Sequence, residues 1–220
     1  MAGYESEGPG NRKEHWETVY RTKNPTEVSW YQAEADLSAR LIQAVVPDHS
    51  APIIDVGGGA SVLAFQLDAA GYSDLTVLDL SQAALAAAQV KLGTRADRIR
   101  WIEADILEAK LPPAGYHFWH DRAVFHFLTD PSARAAYVAQ VRRALSPSGL
   151  VLVATFAEDG PTRCSGLEVI RYSVPALHAA FGPGFGSVAA HREEHRTPQG
   201  SVQAFTYCLF QREEPVPTTV

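Results

Sequence analysis

The 220-residue chain is 46% apolar and 20% charged, a composition that can bury a core and suits one α/β domain with short extensions. A formal net charge of −6 argues against nonspecific nucleic-acid binding, which needs a basic face, and no apolar run reaches the length of a membrane span. The polar start MAGYESEGPGNRKEH has no apolar signal core, and the distant Cys164 and Cys208 read as reduced thiols of a cytoplasmic protein.

Residues 1–12, dominated by Gly, Pro, Glu and Ser, are expected to be disordered, and a flexible tail is expected over 213–220. The segment 33–46 places Leu37, Leu41, Ile42 and Val45 on one face, which predicts an amphipathic helix stopped by Pro47. Residues 52–56 are apolar and β-branched and read as a buried strand, followed by a glycine cluster and a helix over 62–70. A strand at 75–80 precedes a helix capped by Ser81, and further strands are expected at 99–103 and 116–121. Asp130-Pro131 opens a helix whose apolar face carries Tyr137, Val138, Val141 and Leu145. A turn at 146–149 should separate it from a strand at 150–155, and Ser173 caps a short helix over 174–181. The last two strands, 187–193 and 202–211, are joined by Thr197-Pro198-Gln199-Gly200 with no helix between, so they should form an antiparallel hairpin at the sheet edge. This alternation predicts an α/β, Rossmann-like, doubly wound sheet of about seven strands, mostly parallel, with its ligand at the carboxyl ends of the strands.

Ile53-Ile54-Asp55-Val56-Gly57-Gly58-Gly59-Ala60-Ser61 runs from strand into helix, and its glycines permit a sharp turn with the backbone open to a ligand. Val62 stands where a dinucleotide fingerprint needs a third Gly, and the Gly-Lys-Ser/Thr of a Walker loop is absent. Asp79, 20 residues beyond Gly59, can accept both hydroxyls of a ribose or cap the next helix. Glu103-Ala104-Asp105-Ile106 closes the third strand. With these three signals, residues 16–210 resemble class I S-adenosylmethionine-dependent methyltransferases of the small-molecule type. The resemblance implies S-adenosyl-L-methionine as cofactor, with S-adenosyl-L-homocysteine as product. It assigns the cofactor to Asp55, Gly57, Gly58, Gly59, Asp79, Leu80, Asp105, Ile106 and Asp121, with Asp105 on the adenine amine and Ile106 on the ring. Ser61 stands where the family often has another glycine. A leader lid and helix would occupy 13–47 and the methyltransferase core 48–212.

The chemistry is displacement at a sulfonium methyl, so the protein mainly aligns the nucleophile and, where needed, removes its proton. His126 or Asp121 is the expected base, with local packing the alternative for His126; His117 and His120 read as packed against helices. Arg122 binds an anionic substrate or pairs with an acid, and Arg163 lines the substrate pocket beside Cys164. In the aromatic leader, Tyr20, Trp30 and Tyr31 are candidates to cover the cofactor and close the pocket, while Trp16 reads as packing. The run from His191 to Arg196 reads as a solvated, self-compensating charge cluster with no metal spacing. The lid resemblance points to a small-molecule acceptor, with a thiol or another soft nucleophile as one possibility. A protein-lysine methyltransferase, a noncatalytic cofactor-binding regulatory protein and an NAD-dependent oxidoreductase stand as alternatives, although NAD-binding relatives usually lack the terminal hairpin. Neither nucleic acid nor membrane is an expected partner, and oligomeric state is not readable from the sequence.

Overall fold

The computed structural model describes residues 9–60 and 62–213. Ser61 lies outside the described residues, as do residues 1–8 and 214–220 of the segments expected to be disordered or flexible. In chain order the elements are α1 (Pro9–Thr22), α2 (Asp36–Val45), β1 (Ile53–Val56), α3 (Leu63–Ala69), β2 (Leu75–Asp79), α4 (Gln82–Leu92), β3 (Ile99–Glu103) and β4 (Tyr116–Arg122). They continue with α5 (Pro131–Ala144), β5 (Leu145–Phe156), β6 (Arg163–Cys164), β7 (Leu167–Glu168), α6 (Val174–Phe181), β8 (Phe185–Arg196) and β9 (Val202–Arg212).

Seven strands form one sheet in the order β3-β2-β1-β4-β5-β9-β8. The pairings from β3 through β5 are parallel, and β9 runs antiparallel to both β5 and β8. The strand order reverses between β1 and β4, which makes that crevice the topological switch point. Helix starts follow local chemistry. Ser81 Oγ accepts the Ala84 N–H, Asp130 accepts the Ser132 N–H, and Ser173 Oγ accepts the Ala176 N–H.

Four elements differ most from the sequence reading. Helix α1 begins at Pro9, inside the stretch expected to be disordered; Pro suits a first helical turn, and Arg12 and Lys13 form ion pairs with Asp105 and Glu103. Strand β5 begins at Leu145 and absorbs the expected turn at 146–149, with Leu145 paired to Tyr116 before a register shift. An unexpected two-stranded ribbon, β6–β7, turns through Ser165 and Gly166, both at positive φ (50° and 82°), as a two-residue hairpin requires.

Strand parity divides the core. Ile53, Val77, Phe118 and Leu152 pack with Ile42 and Leu67 on one face, while Ile54, Trp119, Val151 and Val153 pack with Tyr137, Val141 and Phe181 on the other. Asp55 is in register with His120, and Val56 with Asp121. Asp55, His120 and Arg122 therefore share the first face, and Asp121 projects from the second. Among the described residues, no helix is long and apolar enough to cross a membrane.

Candidate active site

The glycine loop turns at the carboxyl end of β1. Gly57 has φ +71°, and a Cβ there would stand 2.1 Å from Val124 Cγ2. A Cβ on Gly59 would meet Ala84 Cβ at 2.5 Å and Asp79 Oδ2 at 2.7 Å. Asp79 Oδ2 accepts the Gly59 N–H at 3.0 Å and Oδ1 accepts the Ser81 N–H at 2.8 Å. It thus ties the loop to the start of α4 while facing the crevice. Burial raises its pKa to about 6 against the lowering effect of these N–H groups. One strand further out, Asp105 accepts the Leu107 N–H at 2.9 Å and the Arg12 guanidinium at 2.8 Å.

A cleft lies over these groups. Gly57, Asp79, Leu80, Asp105 and Ile106 line its floor and walls. Its roof is aromatic: Trp16 stands edge-on to Phe127 at 5.2 Å and to Trp30 at 5.5 Å, and Tyr20 Oη accepts the Trp30 Nε1–H at 3.2 Å. Trp16, read from the sequence as packing, lines the cleft. A smaller, more polar chamber adjoins it behind the loop, with Ser38, Asp55, Gly58, His120 and Tyr31 among its walls. Gly57, Tyr20, Trp30 and Arg122 border both spaces.

The leader that supplies the roof is fastened along its length. Lys13 meets Glu103 at 2.5 Å, and Glu17 caps α4 by accepting the Gln82 N–H at 2.6 Å. Further on, Gln32 donates to Glu193 at 3.1 Å and His195 Nε2 donates to the Ser29 carbonyl at 2.8 Å. The run from His191 to Arg196 is therefore not a uniformly solvated cluster: it lies on β8, and Glu193 and His195 face the leader while Arg192 and Glu194 are exposed.

Residues 53–149 match the family described as "Methyltransferase domain". Those residues carry a methyltransferase domain. An uncharacterized methyltransferase of Mycobacterium bovis is 33% identical over 116 residues, covering 53% of this chain and 56% of the relative. The chain thus spans about half the length of the mycobacterial relatives it matches. The mouse eEF1A lysine and N-terminal methyltransferase is 25% identical over 140 residues, 63% of this chain and 20% of that protein. In fold, the chain resembles the 1,6-didemethyltoxoflavin-N1-methyltransferase of Burkholderia thailandensis, solved with 1,6-didemethyltoxoflavin and S-adenosylhomocysteine. The TM-score is 0.70 at 16% identity, over 97% of this chain and 94% of that one.

The residues of the methyltransferase domain fit its cofactor. Two acids at the ends of adjacent strands, Asp79 and Asp105, face one cleft. The glycine backbone crosses between them and the polar chamber, and buried Asp55 Oδ2 has no hydrogen-bond partner among the described residues.

Other expected site residues sit elsewhere. Asp121 lies on the opposite sheet face and lines neither space; it accepts the Val124 N–H at 2.8 Å, the Phe125 N–H at 3.0 Å and the Tyr137 O–H at 2.5 Å. Burial raises its pKa to about 6, but its oxygens are committed to the turn after β4. His126 is fully buried, its Nδ1 accepts the Phe156 N–H at 3.3 Å, and burial lowers its pKa to about 3. Neither geometry suits a base that meets substrate. Arg122 donates to Tyr207 Oη, the Trp30 carbonyl and Glu193, and lies 4.3 Å over the Phe205 ring, so pairing is its role rather than capture of a free anion. Arg163 is exposed and bonds the Gly166 carbonyl of its own hairpin, away from the cleft. Its neighbour Cys164 is buried and reaches the cleft wall, and burial raises its thiol pKa to about 11. Among the described residues, no three His, Cys, Asp or Glu side chains converge as a metal site.

Proposed function

We propose that the protein transfers the methyl group of S-adenosylmethionine to a small-molecule acceptor whose reacting atom is a thiol sulfur or another soft nucleophile. One observation carries this reading: four aromatic rings, Trp16, Tyr20, Trp30 and Phe127, line the cleft, and among the described residues its only carboxylates, Asp79 and Asp105, are the two assigned to the cofactor. Of the groups that could take a proton, His126 is walled off, the Tyr20 hydroxyl is pushed above its ordinary range by burial, and the Cys164 thiol stays protonated. An acceptor that enters as a thiolate, or with a free lone pair, needs none of them.

In this reading Asp79 accepts the ribose hydroxyls, Asp105 accepts from the adenine amine, and Leu80 and Ile106 flank the base. S-adenosylmethionine supplies an electrophilic methyl on a sulfonium sulfur. Trp16, Tyr20, Trp30 and Phe127 exclude water, present ring faces to positive charge and hold the nucleophile in line. The acceptor lone pair forms the new bond to the methyl carbon as the carbon–sulfur pair returns to the leaving sulfur.

The mouse relative supports a second reading, methylation of a protein lysine. The aromatic enclosure favours the small acceptor over a chain-bound amine. A screen for S-adenosylhomocysteine release across thiols, amines, phenols, carboxylates and a lysine peptide separates the two. Turnover with small thiols is expected, and preferential turnover of the peptide overturns the proposal.

A further inference from the structure

We infer that His120 and Ser38 are positioning residues for the amino-acid end of the cofactor, acting through Asp55; the inference rests on the cofactor reading above. Asp55 on β1 and His120 on β4 are direct cross-strand neighbours. His120 Nδ1 lies 2.6 Å from Asp55 Oδ1, and His120 Nε2 lies 2.9 Å from Ser38 Oγ. All three residues are at most 3% exposed. A carboxylate only accepts, so Nδ1 carries the proton it donates to Asp55, and Nε2 shares its hydrogen bond with the Ser38 hydroxyl, which can donate or accept. The relay therefore runs from the first turn of α2, just after the aromatic leader, to the base of the glycine loop.

It uses one oxygen of Asp55 and leaves the other. Oδ2 is buried, has no donor among the described residues, and lies so close under the loop that a Cβ on Gly58 would stand 2.3 Å from it. A buried carboxylate oxygen without a donor is costly, and an ammonium group is the strongest donor for it. Asp55, His120, Ser38 and Gly58 wall the polar chamber, which meets the adenosine cleft at Gly57 and Arg122. A ligand with its adenosine in the cleft that extends past Gly57 brings its amino-acid end beside Oδ2. His120 fixes the carboxylate plane and so decides which oxygen faces that end; Ser38 fixes His120.

Calorimetry with two ligands tests this. S-adenosylhomocysteine carries the amino-acid end, and 5′-methylthioadenosine lacks it while keeping the adenosine and a thioether. Replacing His120→Leu should weaken S-adenosylhomocysteine about tenfold, equivalent to about 1.4 kcal/mol, and leave 5′-methylthioadenosine within about twofold. Ser38→Ala should weaken S-adenosylhomocysteine about threefold with the same selectivity. His120→Asn, which keeps a donor beside Asp55, should recover most of the loss. Equal weakening of both ligands, or full S-adenosylhomocysteine affinity in H120L, overturns the inference. If the unaltered protein binds neither ligand, the cofactor reading fails instead. Thermal melts report folding; if H120L does not fold, the selectivity of S38A decides.

Discussion

With Asp79 in the proposed role of ribose acceptor, cofactor affinity should depend on pH in a calculable way. The Asp79 pKa in the free protein is raised to about 6, chiefly by burial and further by the charge of Asp55, against the lowering effect of the Ser81 and Gly59 N–H groups. Accepting two ribose hydroxyls requires the carboxylate. With a pKa of about 6, the carboxylate fraction is about 0.99 at pH 8 and about 0.09 at pH 5. S-adenosylhomocysteine should therefore bind about tenfold more weakly at pH 5, a loss of about 1.4 kcal/mol. Calorimetry across that range measures it. Asp79→Asn, which cannot ionise and places an amide against the Gly59 or Ser81 N–H, should bind weakly throughout and show no such slope. A flat profile in the unaltered protein, or the same slope in D79N, refutes the assignment. The sign for stability is opposite to that of a salt-bridged acid. Because the folded pKa lies above the unfolded one, the free protein binds the extra proton between about pH 4 and 6, and this residue's contribution to stability falls as pH rises through that window.

Tyr137→Phe removes a hydroxyl that donates to Asp121 at 2.5 Å and accepts the Trp119 Nε1–H at 2.9 Å. The Trp119 Nε1–H loses its partner and Asp121 loses one of its three donors, so urea unfolding should show a loss of about 1–3 kcal/mol; a loss below about 0.5 kcal/mol would show the network to be unimportant. His126→Ala should lower the melting temperature by opening a buried site, yet leave the shape of the kcat–pH profile unchanged. Disappearance of a limb of that profile would return His126 to the role of base. Gly57→Ala must place a methyl at positive φ against Val124, and a weakening of S-adenosylhomocysteine by at least about tenfold is expected by calorimetry. Unchanged affinity would mean that the loop backbone does not touch the ligand.

The strand–helix alternation was legible because it is local, and so were the glycine loop and the two acids that the fold brings to one cleft. A β-branched run leading into glycines, and an acid closing each of the next two strands, can be read without knowing what packs where. Asp121 and His120 show where that local view stops. They are adjacent in sequence at the end of one strand, and nearly every residue of β4 is buried on whichever face it lies, so no apolar–polar alternation betrays which of them faces Asp55. The parity came only from the register with β1. His126 has the composition of a catalytic base, but its fate depends on the Phe156 N–H, a donor 30 residues away that β4 has ended too early to pair. Arg12 lies in a stretch whose composition reads as disorder, and its partner Asp105 is 93 residues distant. The ribbon at Ser165-Gly166 did carry a local signal, a small residue before glycine, between the expected strand at 150–155 and the expected helix at 174–181.

The fastenings of the leader differ in kind from one end to the other. Near Arg12, Lys13 and Glu17 they are charged groups, exposed in the Lys13–Glu103 pair and partly buried at Arg12–Asp105 and Glu17. Near residues 27–32 they include backbone carbonyls held by His195, Gln199 and Arg122. Ionic strength loosens the first kind and hardly touches the second. Added salt should thus peel the leader from its amino-terminal side, uncovering the adenine end of the cleft before the end where the chain is tethered to the hairpin. Exchange of nucleoside product would then quicken with salt while the aromatic wall contributed by Trp30 stayed in position.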